Sequence, residues 1–473
     1  MARALVVLFT LLSILPAFAE PTIRPRLRKV TFPLTDRHEL SALEASGGFE
    51  IVEVAGGRVV ALQRTERPDE TAWVPVPAGL AVLSEDVDQE LAPFSAQGSE
   101  GAYHSVAENQ SELADWAARF PDLCRVESIG RTFEGRDIWA LRITGAADPK
   151  TVPRMLIFGL IHAREWASAE LPHYIIKKLV NGYAADPAIK KIVDSRAIWV
   201  VPVTNPDGLA YSQGQYTMWR KNRSRRGSSV GVDINRNFEV GWGLGSSSSP
   251  GSDVYRGPSF ASEEETRAVL ALAQRERFHV TLSFHAYSEL VLYPWGYSED
   301  DPPGKAVLAR HGKAMAQANG YTPGSVAQIL YVAGGGTDDT LFLRHGCWPF
   351  TFELGTQFVP PENQIDPLCA KNWPAVLHLI DALPGLAQTP PPVGVAATAS
   401  RRLAALEQAW VRSRTALFED MQGAGGSTVD ELLATLAGQV QTDPALAGEI
   451  ERRARDPRLV GLYTPLVRAI RMR

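Results

Sequence analysis

Apolar residues gather along this chain in short runs that stop abruptly at a polar residue. Arg154-Met-Leu-Ile-Phe-Gly-Leu-Ile runs into His162-Ala-Arg-Glu165, and Ala197-Ile-Trp-Val-Val-Pro-Val into Asn205-Pro-Asp-Gly208. Val280-Thr-Leu-Ser-Phe ends at His285, and Phe350-Thr-Phe ends at Glu353. Apolar runs of this length, without polar alternation, predict strands buried on both faces. Segments 111–120, 167–180 and 262–275 carry helical spacing. The last opens on Ser262-Glu-Glu-Glu, an acidic first turn suited to a helix start. Segments 125–131 and 137–143 read as two strands around the turn Glu134-Gly135. Strands alternating with helices predict an α/β fold: a mixed, mainly parallel twisted sheet covered by helices on both faces.

The texture upstream is different. Residues 28–33 read as a strand, 39–45 as a helix and 49–54 as an alternating strand. Ala55-Gly-Gly-Arg58 is a hairpin-type turn leading into Val59-Val-Ala-Leu. Residues 20–98 therefore form a small α+β domain, and Pro75, Pro77, Gly79, Pro93 and the Gly98–Gly101 region mark the passage to the next unit. The main domain spans 99–385. A Pro-rich linker follows over 386–400 (Thr389-Pro-Pro-Pro-Val), then a helical extension over 401–473 whose terminal arginines read as a solvated face.

Composition narrows the picture. The 473 residues are 45% apolar and 21% charged, which suits a globular protein of two or three domains. A net charge of -5 gives no basis for a nucleic-acid or anionic-membrane partner. Arg3, the apolar stretch 4–15 and Ala17-Phe-Ala19 read as a cleavable signal peptide over residues 1–19. The apolar stretch is shorter than the ~20 residues of a spanning helix. The expectation is an exported protein, extracellular or periplasmic, with no membrane span. Three cysteines (Cys124, Cys347, Cys369) cannot all pair within one chain. A Cys347–Cys369 disulfide and buried free thiols both remain open.

The candidate chemistry sits at the ends of the apolar strands. If those strands are neighbours, His162, Glu165 and His285 converge as two imidazoles and a carboxylate, the donor set of a zinc site with one open position. Glu353, at the end of another strand, is then free to take a proton from zinc-activated water. Arg220, in Trp219-Arg-Lys221, and the pair Asn235-Arg236, in Asp233-Ile-Asn-Arg-Asn237, lie in loops where a guanidinium can grip a carboxylate and an amide can add a donor.

Taken in order, these residues resemble the zinc metallocarboxypeptidases, most closely the pancreatic A/B-type branch. The motifs are His162-x-x-Glu165, Asn205-Pro-Asp-Gly208, Trp219-Arg220-Lys221, Asp233-x-Asn-Arg-Asn237, Ser283-Phe-His285-x-Tyr287, Tyr293-Pro-Trp-Gly-Tyr297, Gly334 to Asp339 and Phe350-Thr-Phe-Glu353-Leu. They cover roughly residues 103–383. The resemblance implies one zinc per chain on His162, Glu165 and His285, with peptide or protein C-termini as substrate. It implies Glu353 as general base, Arg220 as oxyanion stabiliser and Asn235 with Arg236 as the grip on the substrate's terminal carboxylate. It also implies Tyr331 as a mobile tyrosine closing over the substrate, Arg164 as a subsite arginine and Asp233 as the carboxylate that orients a ligand histidine.

In that family the position just before the aspartate of Gly-Gly-x-x-Asp lies at the base of the pocket for the terminal side chain. Here it is Asp338, which implies selection of C-terminal Lys or Arg by charge pairing; Leu292 and Val326 would add apolar lining. Broad specificity, with Asp338 turned aside, is the alternative. The N-terminal domain stands where the family keeps an inhibitory propeptide, so residues 20–98 are expected to contact the active site. The chain departs from the usual pattern in having no Lys or Arg between Arg67 and Arg119, and hence no tryptic site in the linker. A non-catalytic peptide-binding module on the same fold and a zinc deacylase of N-acyl amino acids are the competing readings. The complete residue set disfavours the first, and the Tyr331 and Asp-x-Asn-Arg-Asn pattern disfavours the second.

Overall fold

A computed structural model describes residues 27–46, 48–64, 77–87, 101–226, 229–393 and Ile450. The expected signal peptide lies outside the described residues, as do the linker beyond 393 and, apart from Ile450, the C-terminal extension.

The first unit is a four-stranded antiparallel sheet in the order β2-β3-β1-β4. Its strands are β1 (Leu27–Pro33), β2 (Phe49–Ala55), β3 (Arg58–Arg64) and β4 (Ala81–Ser84), with the helix Arg37–Ser46 between β1 and β2. Gly56 and Gly57, both at positive φ, make the tight β2–β3 turn. Phe32, Leu40, Phe49, Ile51 and Val59 form its core. That core is completed by Tyr331 and Leu330 of the main domain.

The main domain is built on an eight-stranded mixed sheet. Its outer strands on one side are β5 (Cys124–Arg131) and β6 (Asp137–Ile143), followed inward by β8 (Ala197–Val201) and β7 (Arg154–Phe158). A two-residue hairpin, β9 (Arg225–Arg226) and β10 (Ser229–Val230), stands apart. The remaining strands are β11 (Val280–His285), β12 (Leu290–Tyr293), β13 (Thr322–Ser325) and β14 (Trp348–Glu353), giving the order β13-β12-β14-β11-β7-β8-β6-β5. The central run β14-β11-β7-β8 is parallel throughout, as the apolar runs predict.

Alternate residues feed two cores. Met155, Ile157, Ile198 and Val200 pack in the core shared with the helices Ala167–Ala185 and Ile365–Gln388. Leu156, Phe158, Trp199 and Val201 pack in the core shared with the helix Glu264–Glu276. The two-residue period of a strand thus explains why these runs carry no polar positions. The helix Ile365–Gln388 runs three residues past the boundary expected at 385. The helix expected from 111 begins at Val106, where Ser105 and Glu108 form a reciprocal capping box. All three cysteines are buried free thiols, so Cys347 and Cys369 are not paired.

Candidate active site

Strand order decides where the chemistry falls. β11 lies between β7 and β14, and its register sets His285 opposite Glu353. His162 follows β7 through a short turn in which Gly159 abuts Ser168 of the next helix; an added Cβ would collide with the Ser168 carbonyl. Ser168 Oγ accepts from Leu160 N (3.0 Å) and donates to Glu165 O (2.6 Å), fixing the turn that carries both residues. Asn205 Nδ2 donates to Ile161 O (3.0 Å) and Lys221 O (3.1 Å), tying this turn to the loop that bears Arg220.

Here His162 Nδ1 approaches Glu165 Oε1 at 2.7 Å, and His285 Nδ1 lies 3.1 Å from both His162 Nδ1 and Glu165 Oε2. All three residues are buried. Two imidazole nitrogens facing one another beside a carboxylate, shielded from water, call for a shared cation. The donor set fits zinc. Behind it, Asp233 Oδ1 sits 3.3 Å from His162 Nε2, and Asp233 Oδ2 accepts from Arg220 Nε (3.0 Å) and Nη2 (2.9 Å). Burial works against its ionisation, but Arg220 and His162 outweigh it and hold Asp233 well below the usual carboxylate range. Burial likewise opposes ionisation of Glu165, and the two imidazoles hold it low.

One cavity joins the trio to Glu353, Arg220, Asn235 and Arg236 on one side and to Asp338, Leu292 and Val326 on the other. Burial pushes Glu353 up to about 8, with His285 opposing and Glu165 adding to the rise. Asn235 Oδ1 accepts from Thr337 N (3.0 Å) and Thr337 Oγ1 (2.9 Å), so its amide is fixed. Asp338 Oδ2 accepts from Thr351 Oγ1 at 2.7 Å, while Asp338 Oδ1 is buried without a partner. Asp339 is spent on the backbone, accepting from Gly296 N and Tyr297 N.

Residues 110–375 match the sequence profile of the family described as zinc carboxypeptidase (peptidase M14). The chain belongs to the zinc carboxypeptidase family. Carboxypeptidase A1 of Bos taurus is 34% identical over 320 residues, which cover 64% of this chain and 76% of that one. A zinc carboxypeptidase of Saccharothrix mutabilis subsp. capreolus is 37% identical over 270 residues, covering 53% and 62%. The crystal structure of carboxypeptidase A from Helicoverpa armigera superposes with a TM-score of 0.66 at 25% identity, over 77% of this chain and 98% of that one. Like other zinc carboxypeptidases, the chain is a zinc-dependent hydrolase of the exopeptidase type.

The N-terminal unit closes over this zinc carboxypeptidase site. Glu50, on β2, places Oε1 between two arginines: Arg220 Nη1 donates to it at 3.0 Å, and Arg164 Nη2 donates to the same oxygen in a closer contact. Arg164 is fully buried, against the Phe358 ring as well as Glu50, and does not line the cavity. Around the rim, Arg37 donates to the carbonyls of Ile329 and Leu330, Ser41 Oγ donates to Val332 O (3.1 Å), Ser288 Oγ donates to Val52 O (2.8 Å), and Arg64 pairs with Asp253. Tyr331 is caught in the same contact, buried in the core of the small domain with its hydroxyl accepting from Arg236 Nη2 at 3.2 Å. Glu44, buried beside it, accepts from Ile51 N at 2.7 Å, and burial pushes it up to about 7. Glu50 and Glu44 escape a reading of the sequence. Only the polar interruption of the run Phe49-Glu-Ile-Val marks Glu50, and a polar residue alternating on a strand ordinarily faces water.

Proposed function

We propose that this zinc carboxypeptidase removes Lys or Arg from the C-termini of peptides and proteins. The observation that carries the reading is Asp338: its free Oδ1 is buried in the cavity that also holds His162, Glu165, His285 and Glu353. A buried carboxylate oxygen with no donor is costly unless a cation completes it. A substrate ammonium or guanidinium is such a group, and Leu292 and Val326 supply apolar area for its methylene stem.

Each residue has a part. Arg236, with the fixed amide of Asn235, binds the substrate's terminal carboxylate and so selects chain ends over internal bonds. Arg220, held in orientation by Asp233, donates to the carbonyl oxygen as charge develops on it. Glu353 accepts a proton from the attacking water and hands it to the departing amine. Asp233 orients His162. His162, Glu165 and His285 would hold the zinc, which would supply Lewis acidity for the carbonyl and for water.

The chain is made, on this reading, with a signal peptide over residues 1–19 and is exported. Residues 20–98 act as a pro-segment that blocks the site, with Glu50 occupying Arg220, which the substrate needs, and Tyr331 pinned. With no Lys or Arg from 68 to 118, a protease other than a trypsin-like one opens the linker. The catalytic domain, expected over 99–385, extends to the helix end at Gln388, and the linker up to 400 and the extension 401–473 follow.

The test is hydrolysis of matched peptides ending in Lys, Arg, Phe or Leu, with and without a zinc chelator. Chelator-sensitive release of Lys and Arg ahead of Phe and Leu is expected. Faster release of Phe or Leu would overturn the specificity, and activity untouched by complete zinc removal would overturn the mechanism.

A further inference from the structure

A second group of metal-binding side chains stands outside this cavity. His104 precedes the helix Val106–Arg119, Glu112 lies on that helix, and His173 lies on the helix Ala167–Ala185. Their ligand atoms all fall within 4.8 Å of one another, as do those of His162, Glu165 and His285. We propose that His104 Nε2, Glu112 Oε2 and His173 Nδ1 form a second divalent-cation site, selective for zinc, that pins these two helices together.

The hydrogen bonds behind the cluster carry the inference. His104 Nδ1 is engaged by Glu170 Oε2 at 2.6 Å, which leaves Nε2 to face Glu112. His173 Nε2 is engaged by Asn109 Oδ1 at 3.1 Å, and an amide oxygen can only accept, so the proton sits on Nε2 and the lone pair on Nδ1. That Nδ1 is buried, has no hydrogen-bond partner, and lies 3.5 Å from Glu112 Oε2. A nitrogen lone pair aimed at a carboxylate oxygen is repulsive unless a cation lies between them. Glu112 is itself oriented, its Oε1 accepting from Trp116 Nε1 at 3.0 Å. Each of the three ligands therefore has its other polar atom held by a partner, including a carboxylate behind a histidine, the arrangement that fixes tautomer and direction at zinc sites.

Charge and distance agree. With a metal ion in place of the proton on His104, both imidazoles are neutral, and one divalent cation cancels the two carboxylates Glu112 and Glu170. In tetrahedral coordination with bonds of about 2.1 Å, ligand atoms stand about 3.4 Å apart. The His173–Glu112 separation of 3.5 Å already matches. The His104–Glu112 separation of 2.5 Å must widen by about 0.9 Å, with the His104 ring tilting off its stack on His173, where the centroids are 3.9 Å apart. The side chains of His104 and Glu112 are 24% and 30% exposed, enough for the ion to enter and for water to take the fourth position. Imidazole with carboxylate favours zinc over calcium or magnesium, which take oxygen.

The competing occupant is a proton, making His104 an imidazolium between Glu112 and Glu170. Zinc titration of the metal-stripped full-length chain separates the two by stoichiometry, independently of any hydrolysis. Two equivalents per chain are expected, falling to one in His173→Gln and to one in Glu112→Gln, a partly exposed position where folding is least at risk. His285→Gln, which disables the other trio, is expected to keep one. Glu170→Gln is expected to keep both but to weaken one by about 10- to 100-fold. One equivalent in the unaltered chain overturns the proposal, as does a second equivalent that survives both His173→Gln and Glu112→Gln.

Discussion

Arg220 Nη1 donates to Glu50 Oε1 at 3.0 Å, across the boundary between the small N-terminal sheet and the main domain. The same guanidinium is aimed from behind by Asp233. On the role proposed for Arg220, a carboxylate of the small domain thus sits where a substrate carbonyl would. Both groups are buried, so removing one partner strands the other at a cost of about 3–5 kcal/mol.

Glu50→Gln in the uncut chain is therefore expected to raise peptide hydrolysis by at least tenfold, since each 1.4 kcal/mol lost from the capped state is about a factor of ten in the open fraction. Comparing initial rates for the uncut variant and the uncut parent measures it. An unchanged rate would mean that Glu50 does not hold the cap.

Glu353→Gln keeps the shape of the side chain and removes its basicity. Turnover is expected to fall by about 100- to 10,000-fold, with zinc content equal to that of the parent. Retained turnover would remove Glu353 from its role as base.

Asp338 gives the basic preference a pH signature. Burial pushes its carboxyl up to about 6, with the Thr351 hydroxyl opposing. On the proposed specificity, Asp338 is charged above that value and attracts Lys or Arg; as pH falls through it the carboxyl takes a proton and the attraction goes, while the substrate keeps its charge. The ratio of kcat/KM for an Arg-ending peptide to that for a Leu-ending one is expected to be flat above pH 7 and to fall towards pH 5. Taking the ratio cancels the titration of Glu353 and of zinc-activated water, which both substrates share. A ratio independent of pH would show that Asp338 does not face the substrate.

The fold was legible because four apolar runs each end on a functional group, and parallel pairing of β7, β11 and β14 then brings those ends together. The convergence of His162, Glu165, His285 and Glu353 in one cavity could be read for the same reason. Glu50 and Glu44 could not, since a strand or helix carboxylate carries no mark that it faces another domain rather than water. The group around His104 was equally silent: His104, Glu112 and His173 are separated by 69 positions, and only the packing of two helices makes them neighbours. Ser105 with Glu108 was a readable signal for a helix start at 106, and the apolar spacing from 111 onward obscured it.

The most direct measurement of the central claim is the Arg-to-Phe ratio of kcat/KM at pH 7.5 for the parent and for Asp338→Ala. Losing a hydrogen-bonded charge pair of about 1.5–3 kcal/mol predicts that the ratio, above one in the parent, falls by roughly 10- to 100-fold in the variant. A parent that cleaves Phe faster than Arg, or a ratio that Asp338→Ala leaves unchanged, would contradict it.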